Sequence, residues 1–174
     1  MKMTKELNKL FNEQIKLEYD SAFLYLAMSE WLEQNDWAGA SHWMEVQYKE
    51  ELAHAEGFVR YLKMKGEPVE LLQLGLAAKE WDSLLDLFKA ALKHEEFISA
   101  SIDKMAEQAE KDGDKASRLF LQWYINEQVE EEVNANDNVT GVSRCKGHIG
   151  ALLSFDREKG TRSWSGEEVP LLLF

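Results

Sequence analysis

Residues 50–55 read Glu50-Glu51-Leu52-Ala53-His54-Ala55. Steps of three and four outward from Glu51 and His54 reach Ala40, Met44 and Gln47 on one side and Phe58 and Tyr61 on the other. That spacing is one face of an α-helix, and its apolar members turn it toward a core. A core is the worst place for a lone carboxylate, because taking an ionised group out of water costs several kcal/mol or more unless opposite charge compensates.

The pattern recurs in three other segments. One stripe runs Leu7, Phe11, Gln14, Glu18, Ser21, Tyr25, Met28 and Leu32; another Phe88, Ala91, Glu95, Ile98, Ile102, Met105 and Ala109; a last one Phe120, Tyr124, Glu127, Glu131, Asn134 and Asn138. Exposed acids have no reason to select the apolar phase of every helix, and no Lys or Arg sits on these stripes. The missing positive charge is most simply a metal cation, or a pair of them, held between four helices.

The only prolines are Pro68 and Pro170, so long helices run uninterrupted and the expected class is all-α. Asn35-Asp36 ends the first helix, with Asp36 available to cap the second, which stops at Gly66-Glu67-Pro68. Residues 66–81 form an apolar connection too long for a tight hairpin, read as a crossover along the bundle. Asp82 and Ser83 cap the third helix, and Lys111-Asp112-Gly113-Asp114 turns the chain into the fourth. Beyond Asn138 the pattern deteriorates through Thr140, Gly141 and Ser143. A short amphipathic piece with Ile149, Leu152, Leu153 and Phe155 follows. The expected organisation is a bundle over 1–145, a short fifth helix over 146–160 and a tail over 161–174.

Composition bounds the chemistry. In 174 residues, 45% hydrophobic, one core fits comfortably. A net charge of −12 argues against nucleic acid and against anionic membranes, and suits attraction of cations. Cys145 is the only cysteine, which excludes an intrachain disulfide and every Cys-based zinc or iron–sulfur cage. The amphipathic start has no apolar signal core, and no apolar run is long enough to span a membrane, so the expectation is a soluble cytoplasmic protein.

Residues three apart share a helical face, so Glu51 and His54 can point at one ion while Glu18 and Glu95 reach in from neighbouring helices. Glu51 is the central candidate for a bridge between two ions. Oxygen-rich ligands with a single imidazole suit ferrous iron or manganese better than a closed zinc site. Glu50, Glu127 and Glu130 form an adjacent layer, and Tyr25 and Gln128 can reach the same cavity. His42, His94 and His148 lack the spacing and read as surface or supporting residues. Glu18 with Glu51-x-x-His54 is faintly echoed by Glu95 with Glu131-x-x-Asn134, which predicts an asymmetric pair of metal positions.

Glu18 with Tyr25, Glu50-Glu51-Leu52-Ala53-His54-Ala55, Trp81-Asp82-Ser83 and Phe120-Leu121-Gln122-Trp123-Tyr124-Ile125-Asn126-Glu127-Gln128-Val129-Glu130-Glu131-Glu132 resemble the non-haem ferritins of bacteria and archaea over about residues 5–135. Gly150 to Glu158 is more loosely similar to that family's fifth helix. The resemblance implies a ferritin-like four-helix bundle that oxidises Fe(II) with dioxygen or peroxide and stores ferric mineral in a homo-oligomeric shell of about 24 subunits. It implies one iron on Glu18, Glu51 and His54, the other on Glu51, Glu95 and Glu131, with Gln128 on the dioxygen side and Tyr25 as a redox-active tyrosine. Glu50, Glu127 and Glu130 match the third iron site of the prokaryotic branch.

Haem-binding relatives carry a methionine where this chain has Leu52 and a second Glu-x-x-His where it has Asn134, so no haem is expected. The polar stretch from Asn134 to Gly150 departs from the family's well-patterned helix and predicts a loosely fixed fifth helix. The nearest rival is a rubrerythrin-like diiron oxidase or peroxidase without storage, whose usual Cys-rich domain one cysteine cannot build. A metal-free helical scaffold is the other.

Overall fold

The computed structural model describes residues 2–166 and 168–171; the last three residues of the apolar tail lie outside them. Among the described residues there are five helices and no strands: α1 Lys5–Gln34, α2 Ala38–Lys65, α3 Leu84–Lys111, α4 Lys115–Arg144 and α5 Ile149–Lys159. The helices α1 and α2 pack as one hairpin and α3 and α4 as another, and α1 also lies against α3. The expected crossover joins the hairpins without a helix of its own.

Most predicted stops and starts are built as read. Ser83 accepts the Asp86 amide at 3.1 Å and Asp114 the Ser117 amide at 3.1 Å, and Thr4, not marked from the sequence, accepts the Leu7 amide at 3.2 Å. Gly66 ends α2 in the left-handed region at φ 71°, and the following amide of Glu67 returns to the Leu62 carbonyl. The start of α2 differs. Asp36 is itself left-handed (φ 63°), and the residue at the cap position, Trp37, makes no side-chain capping bond. The cap comes from α5 instead: Asp156 accepts the amides of Gly39 at 3.2 Å and Ala40 at 2.8 Å. A sequence scan for local caps cannot see an acceptor supplied from across the fold.

The second difference concerns the polar stretch, which is helical to Arg144. Its inward phase runs Glu131, Ala135, Asn138 and Val142, stepping by four after Glu131, so the exposed residue is Asn134. Small side chains mark this end because α5 packs close: a Cβ on Gly141 would lie 2.7 Å from the Phe155 ring. The break occupies Cys145–His148, where Lys146 and Gly147 adopt φ 48° and 74°. In α5, Phe155 is buried and Leu152 partly so, whereas Ile149 and Leu153 are 62% and 44% exposed. The apolar face read from sequence therefore divides between the bundle and the outside.

The core forms two apolar blocks. One gathers Leu7, Phe11, Ile15, Phe58, Tyr61, Ile98, Phe120 and Tyr124, with Tyr61 and Phe120 stacked at 3.9 Å. The other gathers Tyr25, Met28, Met44, Phe88, Ala91 and Phe155. Burying a side chain of this size contributes about 1.5–3 kcal/mol. Along each of α1 to α4 the residues between the blocks are polar and buried: Glu18, Gln47, Glu51, His54, Glu95, Gln128 and Glu131.

Asp156→Ala removes both amide acceptors at the α2 start, and by the usual value of an N-cap it lowers stability by about 1–2 kcal/mol. Asp156→Asn, which keeps one acceptor oxygen, is expected to fall between the two in denaturant unfolding. Equal stability of all three proteins would remove the role assigned to this contact.

Candidate metal centre

The polar layer is held by neighbours one turn away on the same helices. Gln14 donates to Glu18 Oε1 at 2.8 Å, and Gln47 donates to Glu51 Oε1 at 3.3 Å and across the bundle to Glu131 Oε2 at 2.8 Å. Gln128 reaches Glu95 Oε2 at 3.1 Å, and the Tyr25 hydroxyl donates to Glu95 Oε1. Tyr124 donates to the His54 carbonyl at 2.8 Å, and the Trp123 ring meets the His54 imidazole edge-on at 5.6 Å. These contacts fix ligand orientation before any ion arrives.

Glu18, Glu51 and His54, all buried, each offer a ligand atom within 4.8 Å of the others. His54 also stands with Glu131 and the half-buried Glu127 in a second such group. Glu18 Oε2 is buried without an N–H or O–H donor, which is what a carboxylate oxygen directed at a cation requires. No Lys or Arg is fully buried among the described residues. An oxygen-rich set with one imidazole therefore fits a divalent transition ion such as Fe(II).

Burial and charge repulsion together make the same point. Burial, then the neighbouring Glu51 charge, pushes the Glu18 carboxyl well above its usual range. Burial and Glu95 do this to Glu51, and burial with Glu95 and Glu51 to Glu131. The Tyr25 phenol is likewise driven up, by burial and then by Glu95.

Outside this layer, Glu50, His54, Glu127 and Glu130 line one side of a cavity of about 570 Å³. Ser163, Trp164 and Val169 of the tail line the other. Burial raises the Glu50 carboxyl, against the pull of Arg162.

The structure thus brings together Glu18, Glu51, His54, Glu95, Glu131, Gln128 and Tyr25 in one layer, and Glu50, Glu127 and Glu130 around an adjoining cavity. Asn134 is exposed, so the echo of Glu51-x-x-His54 in the second half has no inward partner at that position. His94 shares a 2.7 Å hydrogen bond with Ser21, His42 bonds the Arg162 carbonyl and His148 caps α5, all in supporting roles. Two amides escaped notice, Gln14 and Gln47. The available signal was a Gln four residues before a Glu on the same apolar stripe. Arg162, which reaches Glu50 and Gln47, had none.

The raised carboxyls give a signed expectation. Above the ordinary range near 4.3, the metal-free native chain holds protons that the unfolded chain has lost. Its stability therefore falls as pH rises through the folded values. A bound cation replaces those protons and reverses the trend. With chelator present, thermal unfolding is expected at lower temperature in mildly alkaline than in mildly acidic buffer, and Zn(II) should raise the alkaline midpoint with proton release seen by calorimetry. A midpoint indifferent to both pH and metal contradicts this assignment.

The comparisons agree with the geometry. The family model for the ferritin-like domain matches residues 8–145. The chain is 39% identical over 130 residues to the bacterial non-heme ferritin of Campylobacter jejuni, covering 75% of this chain and 78% of that protein. It is 32% identical over 160 residues to that of Bacteroides fragilis, covering 92% and 99%. An open-pore ferritin from the archaeon Archaeoglobus fulgidus superposes with a TM-score of 0.91 at 35% identity, over 92% of this chain and 99% of that one. A closed form of the A. fulgidus ferritin, engineered by site-directed mutagenesis, gives 0.92 at 35% identity, over 94% and 99%. No helix among the described residues is long and apolar enough to cross a membrane. With its four-helix bundle, short fifth helix and buried carboxylate layer, the chain belongs to the iron-storing non-haem ferritins of bacteria and archaea.

Proposed function

We propose that the buried layer is a ferroxidase centre. One Fe(II) is held by Glu18, Glu51 and His54 and the other by Glu51, Glu95 and Glu131, with Glu51 as the bridge. The carrying observation is a set of four buried carboxylates with one imidazole and, among the described residues, no buried Lys or Arg. Each Fe(II) gives up one electron, and the pair reduces dioxygen and two protons to hydrogen peroxide, or one peroxide and two protons to water. The protein contributes geometry: Gln14 and Gln47 orient carboxylates, and Gln128 and Tyr25 hold Glu95 on the oxidant side. Glu50, Glu127 and Glu130 form an outer iron site on the adjoining cavity.

The same reading makes the protein cytoplasmic and haem-free, and a homo-oligomer of about 24 subunits that stores the mineral inside. The outward Ile149 and Leu153 are available to a neighbouring subunit. Native mass measured together with iron content separates such a shell from a small diiron enzyme without storage.

Stopped-flow absorbance tests the chemistry. Glu51→Ala and His54→Ala are expected to lose the fast aerobic phase of Fe(II) oxidation by about 100-fold or more, since the bridge or the sole imidazole is gone. Initial rates like those of the wild type in either variant would sink the assignment.

A further inference from the structure

Beyond α5 the chain doubles back toward α2, and Arg162 is anchored there at several points. Its guanidinium lies 4.2 Å over the Trp43 ring and donates to Gln47 Oε1 at 2.7 Å and to the Trp43 carbonyl at 3.4 Å. It also pairs with Glu50, the two side chains being 18% and 19% exposed. Immediately after Arg162, Ser163 to Ser165 form a wall of the cavity that Glu50, Glu127 and Glu130 face.

We propose that Arg162 is a specificity-determining residue of the outer iron site: it occupies the Glu50 arm as a built-in counter-cation, which an incoming divalent ion must displace. The proposal rests on the reading of Glu50, Glu127 and Glu130 as an iron site. The guanidinium engages Glu50 Oε2 and, as a fixed positive charge, repels a divalent ion arriving within a few Å. Guanidinium and metal therefore compete for Glu50. Displacement does not strand the arginine, because Trp43 and Gln47 continue to hold it.

The same contact fixes Gln47. Its carbonyl oxygen faces Arg162, so its NH₂ group must face Glu51 and Glu131, as the distances of 3.3 and 2.8 Å require. The tail has its own attachment, since Arg60 pairs with Glu168 and donates to the Val169 carbonyl at 3.1 Å. A substitution at Arg162 therefore need not detach it.

Co(II) is a suitable probe, being readable by calorimetry and by its visible bands without oxidative turnover. Wild type is expected to bind two ions per subunit tightly and a third weakly. Arg162→Gln, which removes the charge, should tighten the third step by about tenfold, a change of about 1.4 kcal/mol. Arg162→Lys keeps the charge but lacks the planar fork that spans Gln47 and Glu50, so it should fall between them. That variant carries the test alone if Arg162→Gln does not fold. Glu130→Ala should abolish the third step in every background. A third step unchanged by either Arg162 substitution, yet lost in Glu130→Ala, overturns the role of Arg162 and leaves the outer site standing. A third step that survives Glu130→Ala overturns the outer site and the proposal with it.

Discussion

Mutual repulsion among carboxylates buried at mid-height of the bundle is the constraint around which the rest is arranged. Glu18, Glu51, Glu95 and Glu131 come from four different helices, so the layer exists only when both hairpins are docked. Burial and then the neighbouring acids weaken the ionisation of Glu18, Glu51 and Glu131; among the described residues no Lys or Arg is buried in the layer, and His54 offsets part of the effect at Glu18 and Glu131. A site of this kind opposes folding when empty and favours it when filled, which couples metal affinity to the integrity of the bundle. Stability is given up at the centre and recovered at both ends.

The recovery is visible in the packing. Aromatic stacking between Phe58 and Tyr124 and between Tyr61 and Phe120 closes one side of the layer. Phe88 against Trp43 and Phe155 closes the other. Because the rings are interlocked across helices, small displacements of one ligand-bearing helix would disturb several contacts at once. The amides of Gln14, Gln47 and Gln128 then set carboxylate rotamers on this rigid frame. Tyr124 belongs to both systems, stacking within the core while its hydroxyl fixes the backbone of His54. Precision at the metal positions thus derives from apolar packing on either side.

Helical periodicity made the fold and the buried acids of the inner layer legible before any coordinates, because buried stripes obey spacing rules that an acid among leucines violates conspicuously. Three of the four inward stripes match residue for residue. The fourth departs at Glu127, which is half-buried beside the inward Gln128, and at Asn134, where steps of three and four were both open and the scattered Val133, Ala135 and Val139 point to no single face. The choice was made by α5: Gly141 admits Phe155, and that contact sets the phase in which Ala135, Asn138 and Val142 turn inward. Asp156 at the α2 start and Arg162 at Glu50 were invisible for a related reason. Each acts on residues more than a hundred positions away, and nothing in its local sequence marks the partner.

The contrast between the inner and outer acids follows from dielectric and distance. Deep in the bundle, a fixed arginine would neutralise the carboxylates so effectively that no ion could compete, and a lone arginine charge would be costly to bury. At the rim, Glu50 and Arg162 keep some contact with solvent, so an incoming ion can reach the pair and screening moderates it more than at the inner carboxylates. The indole of Trp43 and the carbonyl of Gln47 then give the guanidinium a resting place that does not depend on Glu50. An acidic chain of net charge −12 attracts cations everywhere on its surface. Discrimination between passing ions and ions held at the outer cluster must then come from local competition, which is the role proposed for Arg162 on the Glu50 arm.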